Sequence, residues 1–260
     1  MELLRTEGIV RKFGGLVAVS ELCVSVNEGE IVALIGPNGS GKTTALNLIT
    51  GIYSCDEGKI LLKGEEIQSA APYAITQKGI ARTFQNIRIL ESLSVFDNAR
   101  LGTIFSTKSN LLDIAFETPR FKREKKVVTE EVNKVLEFVG LLDQADEIAA
   151  NLPYGKKRAL EIARALVTKP SLLLLDEPAA GLNTQEVYNL MELIKKIRGL
   201  GITIFLVEHR MELVGGLADR VYVLNYGKKI CEGPFCDIKE DNSVIEAYLG
   251  KRRQVDAKGR

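Results

Sequence analysis

Metal and membrane chemistry find little to work with in this chain. It has a single histidine, His209, so no multi-histidine zinc site can be built. Its four cysteines, Cys23, Cys55, Cys231 and Cys236, form neither a C-x-x-C pair nor a paired-histidine pattern. They are expected to be reduced and structural, as in a cytosolic protein. No apolar run approaches the roughly 18 residues of a membrane helix, and no repeat of about 20–50 residues is present. Basic and acidic residues nearly cancel, 35 against 34, so bulk charge gives nucleic acid no hold. The opening Met-Glu-Leu-Leu-Arg-Thr-Glu carries acids and no apolar signal core, which predicts a chain that stays in the cytoplasm. What remains is a globular composition, 45% hydrophobic and 27% charged over 260 residues, enough for one large domain or two lobes sharing a core.

Glycine, by contrast, is concentrated where it carries information. Directly after the apolar run Ile31–Ile35 come Gly36, Pro37, Asn38, Gly39, Ser40, Gly41, Lys42, Thr43 and Thr44. This is the pattern G-x-x-x-x-G-K-[ST] between a strand and a helix. The glycines keep side chains away, so successive backbone N–H groups can close around the β- and γ-phosphates of a nucleotide. A helix starting near Lys42 adds the partial positive charge of its N-terminus. Lys42 would reach the β/γ oxygens, and the Thr43 hydroxyl would hold Mg²⁺. The pattern marks a chain that binds a nucleoside triphosphate.

Around this loop the residue pattern predicts strands at Ile9-Val10, across Leu16–Val26, and at Ile31–Ile35. A helix over Thr43–Thr50 follows, then a strand over Lys59–Lys63, a short helix over Ala71–Gln77 and a strand over Gly79–Gln85. From Asn86 to about Thr168 helices take over, at Leu93–Leu101, Phe121–Val139 and Tyr154–Val167. Alternation resumes with strand Ser171–Asp176, helix Thr184–Arg198, strand Ile202–Val207 and helix Met211–Leu217. Arg220–Asn225 and Lys228–Cys231 form a hairpin across Tyr-Gly, and Val244–Leu249 is a last helix. The expected fold is α/β, with a helical segment inserted between two halves of a βαβ sheet. Residues 1–85 and 168–250 are assigned to the nucleotide-binding core with its β subdomain and 86–167 to the helical insert. A tail over 251–260, with five basic residues and one acid, is expected to be solvated and partly disordered.

Ser171-Leu-Leu-Leu-Leu-Asp176-Glu177-Pro178 is the second strong signal. An aliphatic strand delivers acids at its C-terminal end, where open α/β sheets bind ligands. Asp176 would hold Mg²⁺ through water beside Thr43, and Glu177 would polarise the attacking water as general base.

With Asn151-Leu-Pro-Tyr-Gly-Lys-Lys-Arg158 before Ala-Leu-Glu-Ile-Ala-Arg-Ala, these motifs resemble an ABC-type ATPase subunit. Ala81-Arg-Thr-Phe-Gln85, Glu177-Pro-Ala-Ala-Gly-Leu-Asn183, Val207-Glu-His209 and Val244-Ile-Glu-Ala-Tyr-Leu-Gly250 are similar to the ATPases of branched-chain amino acid importers. The resemblance runs from Leu3 to Gly250 and implies an α/β fold with a P-loop (RecA-like) core of mixed and parallel sheet, an N-terminal antiparallel β subdomain and an inserted α-helical subdomain. It implies ATP with Mg²⁺ as the bound species and Phe13 as the aromatic that stacks on adenine. Gln85 would reach Mg²⁺ and the water while linking to the helical lobe, as an amide can by being donor and acceptor. His209 would touch the γ-phosphate, and Gly181-Leu-Asn183 would cross a dimer interface, with asparagine where many relatives carry aspartate.

One motif departs from the family. Its signature runs Leu-Ser-Gly-Gly-Gln, or Leu-Ser-Tyr-Gly-Gln among these importers, whereas this chain has Leu152, Pro153, Tyr154, Gly155 and Lys156. In the family's dimer the signature serves the partner's γ-phosphate. Pro153 has neither hydroxyl nor N–H, although proline suits the first turn of a helix. One lost hydrogen bond to a charged phosphate costs about 1.5–3 kcal/mol; Lys156 either offsets part of this or is solvated. The expectation is a head-to-tail dimer with a second ABC ATPase subunit: a heterodimer with asymmetric sites, or a homodimer in which both suffer.

Integral membrane permease subunits would be separate chains, with a substrate-binding protein engaged indirectly and no nucleic acid involved. Asn86 to Ser94, with Ile87, Ile89, Leu90 and Leu93, would dock a short helix of a membrane subunit, which places the chain on the cytoplasmic face of the cell membrane. The resemblance implies powering of transport, import of branched-chain or other hydrophobic amino acids. Two alternatives stay open: an ATPase of a lipopolysaccharide-export type, and a nucleotide-dependent dimerisation module with weak hydrolysis. An ABC ATPase working on DNA or ribosomes would carry long coiled-coil inserts or tandem cassettes, which this sequence lacks.

Overall fold

A computed structural model describes residues 1–104, 109, 113 and 116–249; the tail 251–260 lies outside them. The chain forms two compact units, one of Met1–Ser69 with the chain from Phe205 on, the other of Ala70–Ile204.

In the first unit β1 (Glu2–Phe13), β2 (Leu16–Leu22), β3 (Ser25–Asn27), β5 (Glu57–Leu62) and β6 (Glu65–Glu66) make an antiparallel sheet. Its order is β2-β1-β5-β6, with β3 also paired to β1. Register sets Leu4 against both Val26 and Leu62, and all three are buried. A second sheet pairs β4 (Ile31–Ile35) in parallel with β10 (Arg220–Asn225), which pairs antiparallel with β11 (Lys228–Gly233). Every residue of β4 is buried, as a parallel strand covered on both faces requires. The hairpin turns on Tyr226 and Gly227 at φ 46° and 78°, the primed geometry that matches strand twist.

Helices α1 (Lys42–Ile49), α7 (Met211–Leu217), α8 (Phe235–Ile238) and α9 (Asn242–Leu249) complete this unit. Val214, Ile238 and Val244 pack with Ala33, Ile35, Val221 and Val223. The residue pattern did not predict α8, which at 4 residues is too short to show a helical period.

The second unit holds α2 (Pro72–Gln77), β7 (Ile80–Arg82), α3 (Val95–Arg100), α4 (Pro119–Phe138), α5 (Tyr154–Val167), β8 (Leu172–Asp176), α6 (Thr184–Gly199) and the start of β9 (Thr203–Val207). β7 and β8 run parallel, Ile80 against Leu172 and Arg82 against Leu174. Val95 and Ala99 of α3, Val132 and Leu136 of α4, and Leu160, Ala163 and Val167 of α5 share one apolar core.

Helix α3 begins at Val95 rather than Leu93 because Ser94 caps it, its hydroxyl accepting the Asp97 N–H at 3.0 Å. Strand β7 ends at Arg82, short of Gln85, because side chains take over the main chain of Phe84 and Gln85. Among the described residues no helix is long and apolar enough to cross a membrane.

Candidate nucleotide-binding site

The loop after β4 is built as a phosphate cradle must be. Gly41 caps α1 at φ 105°, and Lys42 is the first helical residue. A Cβ on Gly36 would stand 2.1 Å from the Leu224 carbonyl oxygen and 2.7 Å from Ser40 Oγ; one on Gly41 would stand 2.5 Å from the Ala18 oxygen. No other residue fits either place. Asn38, Gly39 and Thr43 are exposed, while Lys42 is 5% exposed. Lys42 Nζ donates to the Gly36 oxygen at 2.8 Å and the Pro37 oxygen at 3.0 Å, which holds the ammonium across the loop. Ser40 Oγ is buried without a hydrogen-bond partner. An ammonium on carbonyls, an unmatched hydroxyl and a glycine-lined turn suit a phosphate chain. The Tyr248 hydroxyl of α9 hydrogen-bonds the Gly36 main chain, and burial raises its pKa against that bond.

Phe13, at the end of β1, is 39% exposed. Its ring meets Tyr53 edge-on at 5.3 Å, and the Arg11 guanidinium lies 4.9 Å from its centroid. Asp56 anchors that guanidinium at 3.0 Å. A ring offered to solvent on a braced platform suits base stacking better than a core role. His209 follows β9 in the turn Val207-Glu208-His209. Glu208 is fully buried, and its Oε2 accepts the His209 and Arg210 N–H groups at 2.9 and 3.1 Å. The turn is thereby fixed while the imidazole stays 49% exposed.

The acids belong to the second unit. Asp176 ends β8, 2% exposed, and its Oδ2 accepts from Arg82 Nη2 at 2.7 Å. Glu177 follows in the left-handed region at φ 45°, which costs a non-glycine residue about 1 kcal/mol. The turn is closed by the Ala180 N–H on the Glu177 oxygen at 3.1 Å. Gln85 Nε2 donates to Glu177 Oε2 at 2.9 Å, so two residues assigned from separate motifs are joined directly.

The altered signature caps α5. Pro153 is the N-cap, one position before the first turn, with no side-chain capping bond. Leu152 is buried, whereas Pro153, Tyr154 and Lys156 are exposed. Lys156 Nζ donates to Gln144 Oε1 at 2.5 Å, a local partner that turns its charge toward its own chain. The Tyr154 ring rests on Gly181, where a Cβ would come 2.9 Å from Cε1. Asn183 caps α6 in a reciprocal box with Glu186: the Glu186 N–H donates to Asn183 Oδ1 at 3.0 Å and the Asn183 N–H to Glu186 Oε2 at 2.9 Å. Asparagine thus keeps the capping role that aspartate would fill.

Of the Asn86–Ser94 segment, Leu90 is 50% exposed, while its main chain is pinned by buried Asn98, which donates to the Leu90 oxygen at 2.9 Å and accepts its N–H at 2.8 Å. Residue reading missed the roles of Arg82, Arg158 and Glu161. The signal for the last pair was present, as opposite charges three apart on an otherwise apolar helix face.

Residues 19–180 match the family model described as ABC transporter. The chain is 42% identical over 250 residues to LivG of Escherichia coli K12, a high-affinity branched-chain amino acid transport ATP-binding protein, spanning 96% of this chain and 98% of that one. It is 41% identical over 250 residues to BraF of Pseudomonas aeruginosa, described in the same words, with the same coverage. A crystal structure of the ADP conformation of an ATP-binding cassette of an ABC transporter matches with a TM-score of 0.84 at 34% identity, over 96% of this chain and 100% of that one.

Proposed function

Because the chain belongs to the ABC transporter family of ATP-binding subunits, we propose that it hydrolyses Mg²⁺-ATP to power uptake of branched-chain or other hydrophobic amino acids. The observation that carries the substrate class is identity to LivG along almost the whole length of both chains. The main chain of residues 36–44 and the Lys42 ammonium take the phosphates, and Phe13 takes the adenine face. The hydroxyl of Thr43, the carboxylate of Asp176 and the amide oxygen of Gln85 are hard oxygen donors suited to Mg²⁺. When bound, the ion neutralises charge on the β- and γ-phosphates. Glu177 accepts the proton of the attacking water, Gln85 holds the Glu177 carboxylate, and His209 contacts the γ-phosphate.

Membrane permease subunits receive the work at the cytoplasmic face, through the segment from Asn86 to Ser94. The signature of this chain completes a partner's site. Pro153 supplies no hydroxyl and Lys156 bonds within its own chain, which favours a heterodimer whose second ATPase carries an intact signature. Pairing with such a subunit leaves this chain's own phosphate loop fully served.

The test of transport is ATP-driven uptake of labelled leucine into vesicles holding the chain with its membrane partners. Uptake is expected, and Lys42→Ala should abolish it. ATP-driven outward movement of a glycolipid would support the export reading instead. Pairing is read from ATP turnover per subunit, alone and in an equimolar mixture with the second ATPase. A severalfold higher rate in the mixture is expected, and equal rates would remove the heterodimer.

A further inference from the structure

We infer that the buried Arg158–Glu161 pair on α5 is the clasp that positions Gln85, tying the signature end of this helix to the hydrolysis machinery of its own chain. Both side chains are 1% exposed, with Arg158 Nη1 2.7 Å from Glu161 Oε2. A buried ion pair repays its desolvation only when its remaining donors and acceptors are also matched. Here the irregular main chain after β7 supplies partners for both terminal guanidinium nitrogens and for the carboxylate, leaving only Arg158 Nε of the pair buried without one. Arg158 Nη1 donates to the Phe84 oxygen at 2.7 Å and Nη2 to the Gln85 oxygen at 2.8 Å. Glu161 Oε1 accepts the Phe84 N–H at 3.2 Å and the Arg88 N–H at 3.4 Å. The forked guanidinium and the carboxylate thus read one conformation of the 84–88 backbone from both its donor and acceptor sides. An apolar pair would pack α5 equally well and select no loop geometry.

The consequences run in two directions. Downstream, the clasped residue sends Nε2 to Glu177 at 2.9 Å, so the backbone position of Gln85 sets the bond that orients the base. Upstream, Arg158 lies one turn into a helix whose N-cap is Pro153. A shift of the signature end carries Arg158, and with it the Gln85 carbonyl. Since the signature is proposed to meet the nucleotide of the partner subunit, occupancy there is felt at Gln85 here. Arg158 and Glu161 are positioning residues, and their effect is exerted through Gln85.

This inference rests on the role proposed for Gln85, and a double-mutant cycle separates the two. ATP turnover and KM are measured on the assembled transporter for Gln85→Ala, Arg158→Lys and the double variant, with thermal melts as a folding control. Lysine keeps the charge but cannot reach both carbonyls as a fork. Gln85→Ala and Arg158→Lys should each lower kcat about tenfold while KM changes less than about twofold. The double variant should be no slower than Gln85→Ala alone, because both remove one shared interaction. Unchanged turnover in Gln85→Ala would defeat the reading of Gln85 itself. A real loss in Gln85→Ala, with losses that multiply in the double variant, would overturn the clasp and leave that reading standing. Glu161→Gln, which keeps the volume and one acceptor, should reproduce the Arg158→Lys pattern. Failure of both substitutions to give folded protein would make the pair a packing element only, and would also overturn the inference.

Discussion

At the scale of single residues, Glu177 is held by its own backbone at φ 45° and by the Gln85 amide at 2.9 Å. Glu177→Gln preserves the volume and an acceptor for that amide but removes the base. Since positioned proton transfer contributes about 10²–10⁴-fold, turnover should fall at least ~100-fold while ATP affinity by calorimetry stays within about twofold. Turnover close to the parent's would move the base elsewhere, His209 being the next candidate. Glu177, Asp176 and Lys42 were legible from the sequence because their motifs place them by spacing alone. Arg82 was not, because its value comes from Asp176, 94 residues away in sequence, and no local pattern records such a meeting. Phe13 was legible as an aromatic, but its Arg11 and Tyr53 braces were not.

At the scale of elements, α5 and β4 begin and end at the residues the pattern predicts, since each has an unbroken period and a sharp boundary. Strand β1 runs Glu2–Phe13 where the pattern predicts only Ile9-Val10, the predicted strand Leu16–Val26 is two, β2 and β3, and α4 starts at Pro119 instead of Phe121. At α3 and β7 a side chain decides the end, Ser94 by capping, Arg158 and Glu161 by capturing main-chain groups. The start of α5 carries one prediction. Pro153→Ser supplies a hydroxyl at the N-cap, so turnover should rise about tenfold or more wherever this signature completes a site, given about 1.5–3 kcal/mol for a hydrogen bond to charge. No change in an assembled dimer would show that the hydroxyl is dispensable.

Strand β10 carries another prediction. Arg220 grips Glu30 through two bonds at 2.9 and 3.0 Å, Glu232 at 3.1 Å and the Ser25 oxygen at 2.9 Å. Arg220→Ala should lower Tm by several degrees, and lysine should not rescue it, lacking the fork. Burial alone would raise the Glu232 carboxyl, but hydrogen bonds from Lys229 and the Arg220 charge leave it below the ordinary 4.5. Its contribution to stability is therefore whole above that value and lost as pH falls through the depressed one. The gap in Tm between parent and variant should narrow in acid; a constant gap would contradict the ion-pair origin.

At the scale of the whole molecule, the fold class was legible because the phosphate loop, the Leu-rich strand with its two acids and the helical interruption come in one order along the chain. The transported molecule was not legible from physics, since nothing in a nucleotide-binding subunit contacts it; identity to LivG and BraF supplies that proposal. Everything proposed about work on a membrane partner depends on the phosphate loop accepting a triphosphate. Lys42 is the residue to remove, because its ammonium spans the Gly36 and Pro37 carbonyls at 2.8 and 3.0 Å. Titration calorimetry with Mg²⁺-ATP on the parent chain and on Lys42→Ala tests this most directly. One-site binding by the parent, weakened about 10- to 100-fold in the variant as expected for a hydrogen-bonded cation on phosphate, is the predicted result. No heat from the folded parent, or equal affinity in both proteins, would contradict it.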